Sequence, residues 1–170
     1  LNTLIKYFNK VELNKTLLLS PKSKYIEQAN IFNNNSMKFY KKFLYDSNPK
    51  KITAEIEKLT NYSQRKKNLE IRKNILKKQD DEKSKREIEL LERLFTLGSV
   101  NFDSVIIIDF GSSLKSVLSS LAYTDVDDTT VLISTVNQWF DESIFSENSF
   151  KNLYFPSVDM KQFKKYNENY

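Results

Sequence analysis

The sequence predicts an α/β fold: a doubly wound, mainly parallel five-stranded sheet in the order 2-1-3-4-5, interrupted by a helical hairpin. Three observations lead there. The runs Leu17–Leu19 and Val105–Ile108 are apolar at every position, which suits strands buried on both faces, as in parallel sheets. Segments with helical spacing alternate with the strand segments, the pattern that right-handed βαβ crossovers produce. The stretch from Lys50 to Leu97 is much longer than the dozen or so residues that a crossover needs.

Taken in order, Leu1–Glu12 reads as a short amphipathic helix, with Leu4, Ile5, Phe8 and Val11 on one face. Thr16–Pro21 is the first strand, ended by its proline. Ser23 is placed to cap a helix over about Lys24–Lys38, with Tyr25, Ala29 and Phe32 inward. Phe39–Tyr45 is the second strand, and its lysines mark it as an edge, where charge discourages unwanted pairing. Asp103–Asp109 is the third. Gly111 follows, with Ser112 or Ser113 as the cap of a helix to Ala122 that turns Leu114, Val117, Leu118 and Leu121 inward. Thr130–Thr135 is the fourth strand and Asn152–Pro156 the fifth, with a weak helix near Ser143–Ser149 between them.

The long stretch begins with a crossover helix over Thr53–Tyr62, with Ile52, Ile56 and Leu59 inward. Residues 62–97 then read as a hairpin of two helices bent near Asp80, with one unbroken helix as the alternative, within a single α/β lobe that spans residues 1–170. Its expected seam is Leu69, Ile75, Leu76, Ile88, Leu91 and Phe95, and Ser84-x-x-Glu87 has the spacing of a capping box at the second helix.

Composition narrows the function. The chain has no histidine or cysteine and two glycines, which removes disulfides, thiolate metal sites and the commonest bases and nucleophiles. No Gly-rich phosphate loop and no G-x-S-x-G is present. The expectation is a protein that is not an enzyme and uses no cofactor, catalytic residue or metal. The run Asp125-Val126-Asp127-Asp128 lacks the glycine and closing glutamate of a calcium loop and reads as a helix-to-strand turn. Lys50–Leu97 holds 14 of the 27 Lys and Arg but 9 of the 22 Asp and Glu, so the whole net charge of +5 lies there. A basic hairpin can meet nucleic acid or anionic headgroups. Its interleaved acids, with pairs such as Glu82–Arg86 and Glu89–Arg93, favour a solvated helix pair instead. Nucleic acid is not the expected partner.

In open α/β sheets the ligand crevice lies beyond the carboxyl ends of the strands, at the point where the strand order reverses. That rule selects Ser20, Ser23 and Tyr25 after the first strand, Asp109, Gly111 and Ser112 after the third, and Thr135 and Asn137 after the fourth. These hydroxyls and the amide, with the Trp139 indole that also follows the fourth strand, suit a small polar solute or a polar interface; capping and packing at the strand ends is the alternative reading.

The order of several short motifs also resembles a known family. Phe102-Asp103-Ser104-Val105-Ile106-Ile107 is followed by Leu121-Ala122-Tyr123-Thr124-Asp125-Val126-Asp127, a strand, Trp139, and Leu153-Tyr154-Phe155-Pro156. This is similar to the penicillin-binding protein activator family, including members with an insertion like Tyr62-Ser63-Gln64-Arg65 through Leu94-Phe95-Thr96-Leu97-Gly98. The resemblance implies one lobe of a type I periplasmic solute-binding fold, in a non-enzymatic protein of the periplasm or cell envelope. Its implied partner is a peptidoglycan synthase or, as in ABC-transporter receptors of this fold, an amino acid or similar solute. Membrane association would come only through an anchor outside this chain, which begins Leu1-Asn2-Thr3 as a processed chain or a piece of a longer protein would. The receptors commonly carry Tyr-Gly after the first strand and a glycine after the fourth, where this chain has Tyr25-Ile26 and Ser134. Both departures weaken the expectation of an amino-acid ligand, because a side chain crowds close backbone approach.

Overall fold

The computed structural model describes residues 2–23, 39–126, 128–136 and 152–156. In chain order the elements are α1 (Asn2–Lys10), β1 (Thr16–Pro21), β2 (Lys41–Tyr45), α2 (Pro49–Leu59), α3 (Tyr62–Gln79), α4 (Glu82–Leu91), β3 (Ser104–Ile107), α5 (Gly111–Tyr123), β4 (Leu132–Thr135) and β5 (Leu153–Tyr154). The five strands form one sheet in the order β2-β1-β3-β4-β5, and all four pairings are parallel. The expected α/β architecture and strand order are therefore the observed ones. The helices expected over Lys24–Lys38 and Ser143–Ser149 fall outside the described residues, as do Tyr25, Ile26, Asn137 and Trp139.

Strand alternation sorts the core into two faces. Leu17, Leu19, Val105, Ile107 and Ile133 face one way and pack with Ile52 and Ile56 of α2 and Leu114, Val117, Leu118 and Leu121 of α5. Leu18, Ile106 and Ile108 face the other way, against Leu4 and Phe8 of α1. This is why β1 and β3 read as unbroken apolar runs: each has a helix layer on either side. β2 is an edge strand, with Lys41 and Lys42 exposed and Tyr45 buried. At the amino ends of the two central strands, Oδ2 of Asp103 accepts the amides of Asn14 and Lys15, both at 3.0 Å, and so ties the entry of β1 to that of β3.

α2 begins at Pro49, four residues before the expected Thr53. Asn48 caps it, its side chain accepting from the Lys50 amide, and Pro49 occupies a first-turn position where a missing N–H costs nothing. α2 ends at Leu59, and Asn61, in a left-handed conformation, turns the chain into α3.

α3 and α4 form the expected antiparallel hairpin with Asp80 and Asp81 at its tip. Leu69, Leu76 and Leu91 form a small core of their own, with Ile88 and Leu97 against it. Three expectations are corrected. The cap of α4 is Asp81, whose Oδ1 accepts from the Ser84 amide at 2.7 Å, so Ser84 lies inside the first turn rather than at a capping box. Ile75 and Phe95 are exposed and take no part in the seam. For Phe95 the reason is that α4 stops at Leu91 and the chain leaves the helix before reaching it. Glu82 pairs with Lys85 rather than Arg86, and no ion pair joins Glu89 to Arg93 among the described residues; Arg72 of α3 instead pairs with Glu87 across the hairpin at 2.6 Å.

Candidate functional site

The carboxyl ends of β1, β2 and β3 gather buried polar groups near the point where the strand order reverses. Asp109, two residues past β3, is buried. Its Oδ1 accepts from the Phe110 amide at 2.8 Å, and its Oδ2 accepts the hydroxyl of Tyr45, the last residue of β2. Burial, followed by the charge and hydrogen bond of Asp109, holds the Tyr45 phenol far above its ordinary ionisation range. The phenol therefore stays protonated and is the donor of this bond. Ser113 lies beside this pair, and its own buried Oγ lacks a hydrogen bond of good geometry.

The expected site residues divide between several surroundings. Ser20 is fully buried and its Oγ has no hydrogen-bond partner. It follows Leu18 by two residues, so it shares the α1 face of the sheet, whereas Asp109 turns toward Tyr45 on the α2 and α5 face. The two are therefore not side by side as halves of one clamp. Ser23 lies just past β1 and is partly exposed. The adjoining Lys22 pairs with Glu55 of α2 at 3.6 Å, and Glu55 also accepts the Asp46 amide at 3.0 Å. Thr135 is buried and donates its hydroxyl to the Ile107 carbonyl at 2.9 Å. Ser134 lies within β4, not after it, and donates to the Val105 carbonyl at 2.9 Å. Tyr25 and Asn137 lie outside the described residues.

Neither Ser112 nor Ser113 caps α5. Gly111 is its first residue, with φ +56, and Phe110 occupies the capping position without a side-chain bond. The left-handed backbone at Gly111, which favours glycine, starts the helix ahead of both serines. Ser112 is exposed in the first turn.

Sequence reasoning missed Tyr45 and Arg65. Tyr45 carried a usable signal: it ends the inward set Phe43 and Tyr45 of β2, and a buried phenol needs a partner. Arg65 counted as one more cation of the insertion and as the end of its opening motif, with no role of its own. It is buried, and its guanidinium donates to the Gly98 and Thr124 carbonyls, each at 2.8 Å, and to the Asp125 carbonyl at 3.0 Å. Asp125 returns the connection: its Oδ2 accepts the amides of Phe95 and Thr96 at 2.9 and 2.6 Å and the Thr96 hydroxyl at 3.0 Å. The acidic run after α5 thus includes the turn expected of it, with Asp125 in a left-handed conformation, and it also fastens the base of the hairpin. Among the described residues no group of His, Cys, Asp or Glu is arranged to hold a metal ion, and no helix is long and apolar enough to cross a membrane.

No family model, curated protein or solved structure matches the chain.

Proposed function

We propose that this chain is a non-enzymatic binding lobe of the type I periplasmic solute-binding kind, acting in the cell envelope in the manner of the penicillin-binding protein activators. In this reading it regulates peptidoglycan synthesis by holding a protein partner, a peptidoglycan synthase, rather than by turning over a substrate. The observation that carries the reading is the parallel order β2-β1-β3-β4-β5, whose reversal between β1 and β3 is where folds of this class bind. The ordered motifs around Phe102–Ile107, Leu121–Asp127 and Leu153–Pro156 supply the family likeness; fold alone would not name a function.

The geometry at the strand ends favours a regulator over a transport receptor. A receptor's clamp on an amino acid needs a carboxylate facing the ligand's ammonium group, with hydroxyls close by for its carboxylate. Here the oxygens of Asp109 already accept from Tyr45 and Phe110, and Ser20 is on the other face of the sheet.

The test pairs two measurements on the full-length protein that contains this chain. Calorimetry against a panel of amino acids should show no binding, and a pull-down from solubilised envelope should retain a peptidoglycan synthase. Micromolar binding of an amino acid, lost in Asp109→Ala, would make the protein a transport receptor instead. Absence of both would remove the envelope reading.

A further inference from the structure

The two arms of the hairpin differ in charge. Seven of the eighteen residues of α3 are Lys or Arg and Glu70 is its single acid, whereas α4 has three of each sign. Two of the seven are internally used: Arg65 is buried against carbonyls, and Arg72 pairs with Glu87. The other five, Lys66, Lys67, Lys73, Lys77 and Lys78, make no ion pair among the described residues, and all but the half-buried Lys73 are exposed.

Helical spacing collects part of this charge around exposed apolar groups. Lys67, Ile71, Ile75 and Lys78 follow one another at intervals of four, four and three residues, so they form one stripe along the helix. Leu69 and Leu76 are buried against α4, and the stripe lies away from them. Ile71 is 57% and Ile75 45% exposed. Two isoleucines left in water and bracketed by lysines have no explanation in the hairpin core, which is complete without them. This short stripe offers what a peripheral membrane contact uses: apolar side chains for the acyl boundary and, in Lys67 and Lys78, stems whose ammonium groups reach headgroups.

We propose that the outer face of α3 docks on an anionic lipid surface, with Ile71 and Ile75 seated at the interface and Lys67 and Lys78, on the same face, reaching phosphate headgroups. Nucleic acid is the less fitting polyanion. Residues 64–94 contain no aromatic side chain on which bases could stack, and exposed isoleucines have no role against a phosphate backbone. The contact is peripheral and does not rest on the function proposed above. Its failure would leave that reading untouched.

Vesicle co-sedimentation tests it with the whole chain. Vesicles of equal phosphatidylglycerol and phosphatidylcholine should bind the protein at 0.1 M salt, and pure phosphatidylcholine vesicles should not. Binding should fall at least tenfold at 0.5 M salt, where the screening length is under about 5 Å. It should fall several-fold when Lys67 and Lys78 are replaced by Gln, and several-fold in Ile71→Ser/Ile75→Ser, with circular dichroism confirming that the variants are folded. Because the chain has no cysteine, Ile71→Cys can carry a single environment-sensitive fluorophore, which provides a reading independent of the multiple variant. Its emission should shift to the blue on anionic vesicles, while the same label at Arg86→Cys on α4 should not shift. Failure to bind anionic vesicles, binding unchanged by the lysine replacement, equal shifts at both labels, or preference for a DNA duplex over vesicles of equal charge would each overturn the proposal.

Discussion

Tyr45 donates its hydroxyl to the carboxylate of Asp109 across the end of the strand between them. β1 separates β2 from β3, and Pro21 stands in register with Tyr45, so the hydrogen bond joins two strands that are not neighbours in the sheet. It braces the carboxyl edge where the strand order reverses.

Tyr45→Phe should therefore destabilise the protein by about 2 kcal/mol, the usual size for losing a hydrogen bond to a buried charged group. The pH dependence identifies the cause. The phenol ionises far above its ordinary value in the folded chain, because of burial and the charge of Asp109. The unfolded chain releases that proton near pH 10 while the folded chain keeps it. The stabilisation is thus complete below about pH 10 and is lost above it by about 1.4 kcal/mol per pH unit. Denaturant titrations between pH 8 and 11 should show a steeper loss for the wild type than for Tyr45→Phe. Parallel curves would mean that the phenol ionises freely in the folded state.

Arg65 and Thr124 make the second long-range connection. The guanidinium serves three carbonyls, and its removal would leave them without that donor in a buried place. Arg65→Met should cost about 3 kcal/mol. Arg65→Lys should recover little of it, because an ammonium cannot reproduce the planar fork. A near-complete rescue by lysine in thermal unfolding would show that charge alone matters at this position.

The sheet was legible in the sequence because its central strands are buried on both faces. Leu17–Leu19 and Val105–Ile108 admit few other readings once the helical segments between them are recognised, and the order followed from the connections. The hairpin was legible through Leu69 and Leu76 and the polar break at Asp80. Its end was not. α4 stops at Leu91 and Asp125 then claims the Phe95 and Thr96 amides, a bond between residues about thirty positions apart that no local pattern records. The same holds for the site. The strand-end rule found Asp109, but its partner Tyr45 is 64 residues away, and the faces of Ser20 and Asp109 separate only in three dimensions. Arg65 was hidden among exposed lysines of the same charge.

Asp125 offers a graded test of the hairpin base. Its carboxylate accepts three donors from Phe95 and Thr96, and its backbone is left-handed, with φ 52. Asp125→Ala loses the acceptor and fits the backbone badly, so it should cost about 3 kcal/mol. Asp125→Asn keeps one acceptor oxygen and a residue tolerant of that conformation, and should cost about 1 kcal/mol. Hydrogen exchange at the Phe95 and Thr96 amides should accelerate in both, most in the alanine variant. Unchanged exchange there would place the stabilising role of Asp125 elsewhere.

The last expectation concerns how much of the hairpin the lobe needs. Leu69, Leu76 and Leu91 form a core separate from the two faces of the sheet, so the tip contributes to the hairpin alone. Arg65 does not: its guanidinium reaches the end of α5, and its carbonyl accepts the Leu97 amide at 3.0 Å. Deleting residues 64–93 removes that connection along with the tip, and should lower the unfolding midpoint by more than the Arg65→Met substitution does. Replacing residues 73–88 with a short Gly-rich turn keeps Arg65, Leu69 and Leu91, and shortens a connection whose closure entropy depends only weakly on its length. That variant should retain the cooperative transition and near-ultraviolet signal of the core, with a loss of about 1–2 kcal/mol from the missing Leu76 and Ile88 contacts. If both deletions unfold the protein equally, the tip is part of the main folding unit and the separation of the hairpin core has no energetic meaning.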